Sequence, residues 1–141
     1  MNTANPEKPV VLVTAVGAPP GLNPLRALLE TGLYDVVAAD ADKYSPALYG
    51  FGVPHVVLPR ATDEVQFIDA LKSVILRHRV SAILPCIEEE VFAIARHARE
   101  LTDLGVRLPI PALDVLNRAT NKGLATKTAR ECGVPCPESL V

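Results

Sequence analysis

Short apolar runs rich in β-branched residues alternate along this chain with helix-length amphipathic stretches, and prolines sit at the joints. That alternation constrains the fold more than any other feature. Strands separated by helices cannot pair as hairpins; they lie parallel, because parallel neighbours need a crossover and a helix supplies it. Val10-Val11-Leu12-Val13 starts right after Pro9 and reads as a fully buried strand. Tyr34 to Ala39 is the second strand, closed by Asp40-Ala41-Asp42, and His55 to Leu58 the third, bracketed by Pro54 and Pro59. Val80 to Leu84 is the fourth, stopped by Pro85, and Val106-Arg107-Leu108 the fifth, ended by Pro109 and Pro111. The 13 prolines in 141 residues are about twice the ~5% of average proteins. Proline has no N–H for an interior ladder, so the excess is punctuation of a parallel sheet.

The helices between the strands carry their own signals. Asn23 offers an N-cap and Pro24 a first-turn proline for a helix over Leu25 to Thr31, closed by Gly32. Tyr44 to Tyr49 is a short helical turn. Val65, Ile68, Leu71 and Ile75 form one stripe behind Asp63 and Glu64, with Arg77, His78 and Arg79 at the C-terminal end. Val91, Ile94, Ala95, Ala98 and Leu101 point inward on the next helix, which Gly105 closes. Pro111 to Asn117 and Lys122 to Cys132 are two more, the last capped by Gly133. The expected architecture is α/β: a doubly wound, mainly parallel five-stranded sheet with helices on both faces. No internal repeat or low-complexity tract interrupts it.

Charge and cysteine content exclude several classes. Fourteen Lys+Arg against 16 Asp+Glu give a net charge of −2, which removes the electrostatic basis for a general nucleic-acid or membrane-surface binder. No apolar run approaches the ~18 residues of a membrane span, and MNTANPEKPV has no apolar signal-peptide core. Cys86, Cys132 and Cys136 are too few for a disulfide framework and have no zinc-ligand spacing, so reduced thiols in a cytoplasmic protein are expected. No metal site is expected.

Ligands of open α/β sheets bind beyond the carboxyl ends of the strands, so the residues there are the candidates. The loop VTAVGAPPGLNPL after the first strand places Gly17, Ala18 and Gly21 before a helix start, which suits an anion or, equally, a rigid turn packing the first helix. Its spacing matches neither G-x-G-x-x-G nor the phosphate loop. Asp40 and Asp42 stand where dinucleotide folds keep a ribose-binding acid, although acids at such junctions also form turns. Glu88, Glu89 and Glu90 follow the fourth strand and suit a helix dipole. With the helix starting near Ile87, Glu88 points with Val91 and Phe92 and leaves Glu89 or Glu90 toward solvent. Cys86, in the same loop, reads as a buried, inert thiol. Lys122 is either solvated or a phosphate contact. No nucleophile–histidine–acid constellation is present, so no catalytic residue is assigned.

In order, VLVTAVGAPPGLNPLRAL, VVAADAD with Y-S-P-ALY, AILPCIEEEVFAIARH and LPIPALDVLNRATNKGLATKTARECGVPCPES resemble one family layout. It is the N-terminal, pre-ATP-grasp domain of ATP-grasp ligases of the carbamoyl-phosphate-synthase-like type, and the resemblance covers Val10 to Ser139. It implies a Rossmann-like domain over residues 9–119 behind a flexible stretch 1–8, with residues 120–141 opening an ATP-grasp region whose remainder would follow Val141. For the complete enzyme it implies ATP with Mg2+ and an acyl phosphate, made from a small-molecule carboxylate and attacked by an amine or other nucleophile. By the same resemblance, Gly17 to Gly21 and Glu88 to Glu90 would face the ligand cleft. Lys122, after Asn121 where the family usually has Asp, would be the ATP-phosphate lysine. The chain alone is expected to be inactive and to need an ATP-grasp domain in cis or trans; a homodimer is a further candidate assembly. The alternatives are a dinucleotide-binding oxidoreductase domain using Gly17, Gly21 and Asp40, and a non-enzymatic partner-binding module.

Overall fold

The computed structural model describes residues 8–137. The flexible stretch expected over residues 1–8 and the end of the tail from residue 138 therefore lie mostly outside the described residues. Contacts divide the chain into two compact units, one ending at Pro109 and the other beginning at Ile110.

The first unit runs β1 (Val10–Val13), α1 (Pro19–Thr31), β2 (Asp35–Asp40), α2 (Pro46–Tyr49), β3 (His55–Val57), α3 (Glu64–His78), β4 (Val80–Leu84), α4 (Glu88–Arg96) and α5 (Ala98–Thr102). Its sheet has the order β3-β2-β1-β4, and β1 pairs in parallel with both β2 and β4. The register sets Val11 beside Val36 and Val13 beside Ala38, so one alternate set of side chains meets Leu25 of α1 and Leu48 of α2. The opposite set, Leu12, Val37 and Ala39, is equally buried and lies on the other face of the sheet. Ile68, Leu71 and Ile75 of the expected stripe are 0–2% exposed, but Val65 is 72% exposed and Phe67, wholly buried, takes its place on the inward face of α3; burial of such side chains stabilises by roughly 1.5–3 kcal/mol each. Asp63 caps α3 by accepting from the Gln66 N–H, and Arg79 ends it in the left-handed region at φ 52°. The doubly wound α/β expectation holds.

Most boundaries move by one to three residues, and three elements differ more deeply from the sequence reading. The helix α1 begins at Pro19, not Leu25, because Pro19 and Pro20 fill first-turn positions whose N–H would have no intrahelical partner anyway. Pro24 then sits inside the helix, and the carbonyl it fails to satisfy belongs to the exposed Pro20. The fifth strand shrinks to a single parallel bridge, Arg107 with Ala82, leaving four strands. Arg107 N–H donates to Ser81 O at 2.9 Å and its carbonyl accepts from Ile83 N–H at 3.1 Å, but Pro109 has no N–H to extend the ladder. The single helix expected up to Gly105 breaks at His97, which ends α4 and opens α5.

The second unit contains α6 (Leu113–Thr120) and α7 (Lys122–Glu131). Asn121 caps α7, its side chain accepting from Leu124 N–H at 3.0 Å.

Candidate functional site

The chain runs outward from β1 through β2 to β3 and then returns to place β4 on the other side of β1. The order therefore switches between β1 and β4, and a doubly wound sheet opens its crevice beyond the carboxyl ends of such a pair. Two buried polar side chains meet there. Thr14, the residue after β1, is 0% exposed, and Glu90, in the first turn of α4, is 5% exposed. Thr14 Oγ1 donates to Glu90 Oε2 through a short hydrogen bond and accepts the Cys86 N–H at 3.2 Å. Thr14 N–H itself donates to Leu84 O at 3.2 Å. A hydroxyl has one proton, so giving it to Glu90 while accepting from Cys86 fixes the direction of both bonds. One side chain thus joins the end of β1, the loop after β4 and the start of α4.

Burial pushes the Glu90 carboxyl above the ordinary range; the Thr14 and Cys86 N–H contacts oppose this, while the nearby charges of Asp40 and Glu89 add to it. Burial also pushes the Cys86 thiol up to about 11, and the Glu90 charge adds to that. A thiol held there stays protonated at neutral pH and is a poor nucleophile.

The loop after β1 is tied to the loop after β2. Gly17 N–H donates to Asp40 Oδ2 at 2.6 Å, Asp42 N–H to Asp40 Oδ1 at 2.8 Å, and Tyr44 N–H to Asp42 Oδ1 at 2.9 Å. Ala18 N–H donates to Ala15 O, and Gly21 and Leu22 N–H both donate to Ala18 O. Pro19 and Pro20 have no N–H. From Gly17 to Leu22, every backbone donor of the loop is engaged within the protein. The two glycines answer to space. A Cβ on Gly17 would lie 2.6 Å from Ser45 Oγ, and one on Gly21 2.4 Å from Thr14 O and 2.3 Å from Ala15 O. Ala15, between the two strand-end residues and the loop, is held at φ 50°.

The remaining candidates fall on both units. Glu88 and Glu89 are exposed on the first turn of α4. With Ala61, Thr62, Glu64, Phe92 and Arg96 they line a groove of about 330 Å³ between the starts of α3 and α4. The Arg96 guanidinium beside Glu64 holds that carboxyl below the ordinary range. Lys122 is exposed at the first position of α7, in the second unit. Among the described residues, no three His, Cys, Asp or Glu side chains group as metal ligands. No helix of the described residues is long and apolar enough to cross a membrane.

The glutamate run is where sequence and structure part. Glu88 was expected beside Val91 and Phe92, with Glu89 or Glu90 toward solvent; Glu88 and Glu89 are exposed, and Glu90 is the buried one. Glu90 shares the inward face with Ala93 and Ile94, three and four residues on, and that spacing is the signal that marks it. Thr14 had no local signal, since its partner lies 76 residues away.

A family model described as "PylC-like, N-terminal domain" matches residues 23–109, more than half of the chain. None of the curated proteins is a match. Among solved structures, an L-amino acid ligase from Bacillus licheniformis superposes with a TM-score of 0.63 at 17% identity, over 92% of this chain and 31% of that one. The biotin carboxylase domain of a single-chain bacterial carboxylase gives 0.60 at 23%, over 94% and 31%. A dTDP-glucose 4,6-dehydratase from Bacillus anthracis, in complex with NAD, gives 0.53 at 16%, over 71% and 36%. The chain spans about a third of the length of each of these structures, and at these identities the likeness is one of fold.

Proposed function

Since this chain belongs to the PylC-like N-terminal domain family, a pre-ATP-grasp domain, we propose that it forms the acceptor side of an ATP-dependent carboxylate–amine ligase. In that reading the complete enzyme activates a small-molecule carboxylate as an acyl phosphate, which an amine attacks, in the cytoplasm. The ATP-grasp domain acts in cis or in trans, and the chain alone has no ligase activity. One observation carries the acceptor-side assignment: at the carboxyl edge of the sheet, acids are exposed at the start of α4 while the glycine loop after β1 keeps no unengaged N–H. Glu88 and Glu89 are exposed there, and every backbone donor from Gly17 to Leu22 is already bonded. Such a surface complements hydrogen-bond donors, as on an amine, and repels phosphate.

The groups present do not fit Mg2+-ATP. The loop that would cradle phosphate has no free donor, and no three metal-ligating side chains group among the described residues. Within the proposed reading, Gly17, Ala18 and Gly21 shape the cleft wall, Asp40 and Asp42 hold that wall to β2, and Glu88 and Glu89 face the acceptor. Lys122 is the phosphate contact supplied toward the ATP-grasp partner. The dinucleotide alternative is the weaker one, because both Asp40 oxygens already accept backbone N–H groups.

The test joins the chain to its ATP-grasp segment, sought in the DNA beyond codon 141 and in neighbouring reading frames. The pair should release phosphate from ATP only with an added carboxylate, and hydroxylamine should trap the acyl phosphate as a hydroxamate. ATP turnover by the isolated chain, or its tight binding of Mg2+-ATP in a calorimeter, overturns the reading. Quenching or enhancement of NADH fluorescence by the chain would favour the dinucleotide alternative.

A further inference from the structure

The helix break at His97 lies inside a chain of charges. His97 ends α4 and opens α5 with φ −107° and ψ 16°. Its Nε2 lies 3.0 Å from Glu64 Oε1, in the first turn of α3, and its Nδ1 lies 2.9 Å from Glu100 Oε1 on α5. Arg96 grips Glu64 with Nε at 3.0 and 2.9 Å from the two oxygens, and with a second, short contact from its terminal nitrogen. Lys72 of α3 donates to Glu100 Oε2 at 2.5 Å and lies 3.8 Å from Asp69. The groups facing the ring are therefore Glu64 from α3 and Glu100 from α5, each shared with a cation, Arg96 or Lys72.

Carboxylate oxygens only accept. A neutral imidazole has one N–H and one bare lone pair, so it satisfies one of these contacts and sets a lone pair against the other; the imidazolium satisfies both. We propose that His97, as an imidazolium donating from both ring nitrogens, pins the first turn of α3 to the α4–α5 break, so that the acidic groove beside it changes shape with pH. Glu64 is the link. It takes the His97 bond on one side and lines the groove with Glu88, Glu89 and Arg96 on the other. Loss of the second ring proton leaves Glu64 and Glu100 facing each other across a ring that bonds only one of them. The consequence for an acceptor rests on the function proposed above; the pin itself does not.

Nuclear magnetic resonance on the 141-residue chain, without any ligand, keeps the two apart. Long-range proton–nitrogen spectra recorded along a pH series should show both His97 nitrogens carrying protons at its acid end and only one at its alkaline end. The amides of Thr62, Glu64 and Glu88 should shift over the same interval. In His97→Gln, which holds one N–H donor group at every pH, that shift should vanish. In Glu100→Gln, a second and milder variant, it should shrink without vanishing. A ring nitrogen that stays bare at the acid end of the series, or a wild-type amide response retained in His97→Gln, overturns the proposal. Either result leaves the ligase reading standing, since neither involves acceptor or ATP.

Discussion

Replacing Glu90 separates the two things its carboxyl does. Thr14 is wholly buried and gives its only proton to Glu90, while Glu90 lies 95% out of water on the inward face of α4. In Glu90→Ala the Thr14 hydroxyl loses its acceptor, and an unsatisfied buried hydroxyl costs about 1–3 kcal/mol. One methylene also leaves the interior, at about 0.8 kcal/mol. The sum is a loss of about 2–4 kcal/mol, large for a domain of this size. In Glu90→Gln the amide oxygen still accepts from Thr14, and only the charge goes, so the change at neutral pH should stay within about 1 kcal/mol. The pH dependence gives the sharper check. Burial holds the folded Glu90 carboxyl above its unfolded value. Its contribution is then fully present below the unfolded value and is lost as pH rises through the raised folded one. Urea midpoints of wild type and Glu90→Gln, at about pH 5 and about pH 8, should therefore diverge: the wild type gains on the glutamine variant toward acid. A difference that is flat with pH, or that grows toward alkaline pH, refutes the buried-acid assignment. A Glu90→Ala variant as stable as wild type refutes the Thr14 contact.

Other perturbations read other parts of the edge. Gly21→Ala places a Cβ 2.3–2.4 Å from the Thr14 and Ala15 carbonyls, which are backbone and cannot step aside; it should lower the melting temperature through a cost of about 1–3 kcal/mol. Arg79→Gly relieves a side-chain residue held at φ 52° after α3 and should stabilise by roughly 0.5–1 kcal/mol, seen as a higher midpoint in the same melt. Asp40→Asn retains one acceptor for the two N–H groups that Asp40 now serves, and should cost about 1–3 kcal/mol in urea. Iodoacetamide at neutral pH should label exposed Cys132 well before Cys86, whose thiol is held near 11 by burial; peptide mass mapping reads the order.

The strands were legible because each rests on a local pattern, a β-branched run bounded by proline, and the parallel sheet follows from their separation by helices. Local signals failed where two of them competed. Asn23-Pro24 and Pro19-Pro20 are both credible helix starts, and the second wins because Ala18 is extended while the chain from Pro19 already has helical geometry. The fifth strand lost its ladder to Pro109, a stop that the sequence displayed but that leaves too few residues for more than one bridge.

At the glutamate run the error was one of phase, and it bears on function. Successive helical residues turn by about 100°, so choosing Val91 instead of Glu90 as the inward neighbour of Ile94 moves the buried carboxyl to the surface. No propensity favours a buried glutamate; what stabilises it is Thr14, a residue whose relevance appears only when β4 returns to lie beside β1. The polar contact at the switch point is thus a product of topology, assembled from Thr14, Cys86 and Glu90 by the crossover that reverses the strand order. The same crossover sets exposed Glu88 and Glu89 beside Glu64 at the rim, while Asp40 holds the glycine loop from behind. An acceptor bearing hydrogen-bond donors finds exposed carboxylates at that rim, and a phosphate finds no free N–H in the loop from Gly17 to Leu22. The division of labour proposed here, acceptor on this unit and ATP on another, follows from that asymmetry.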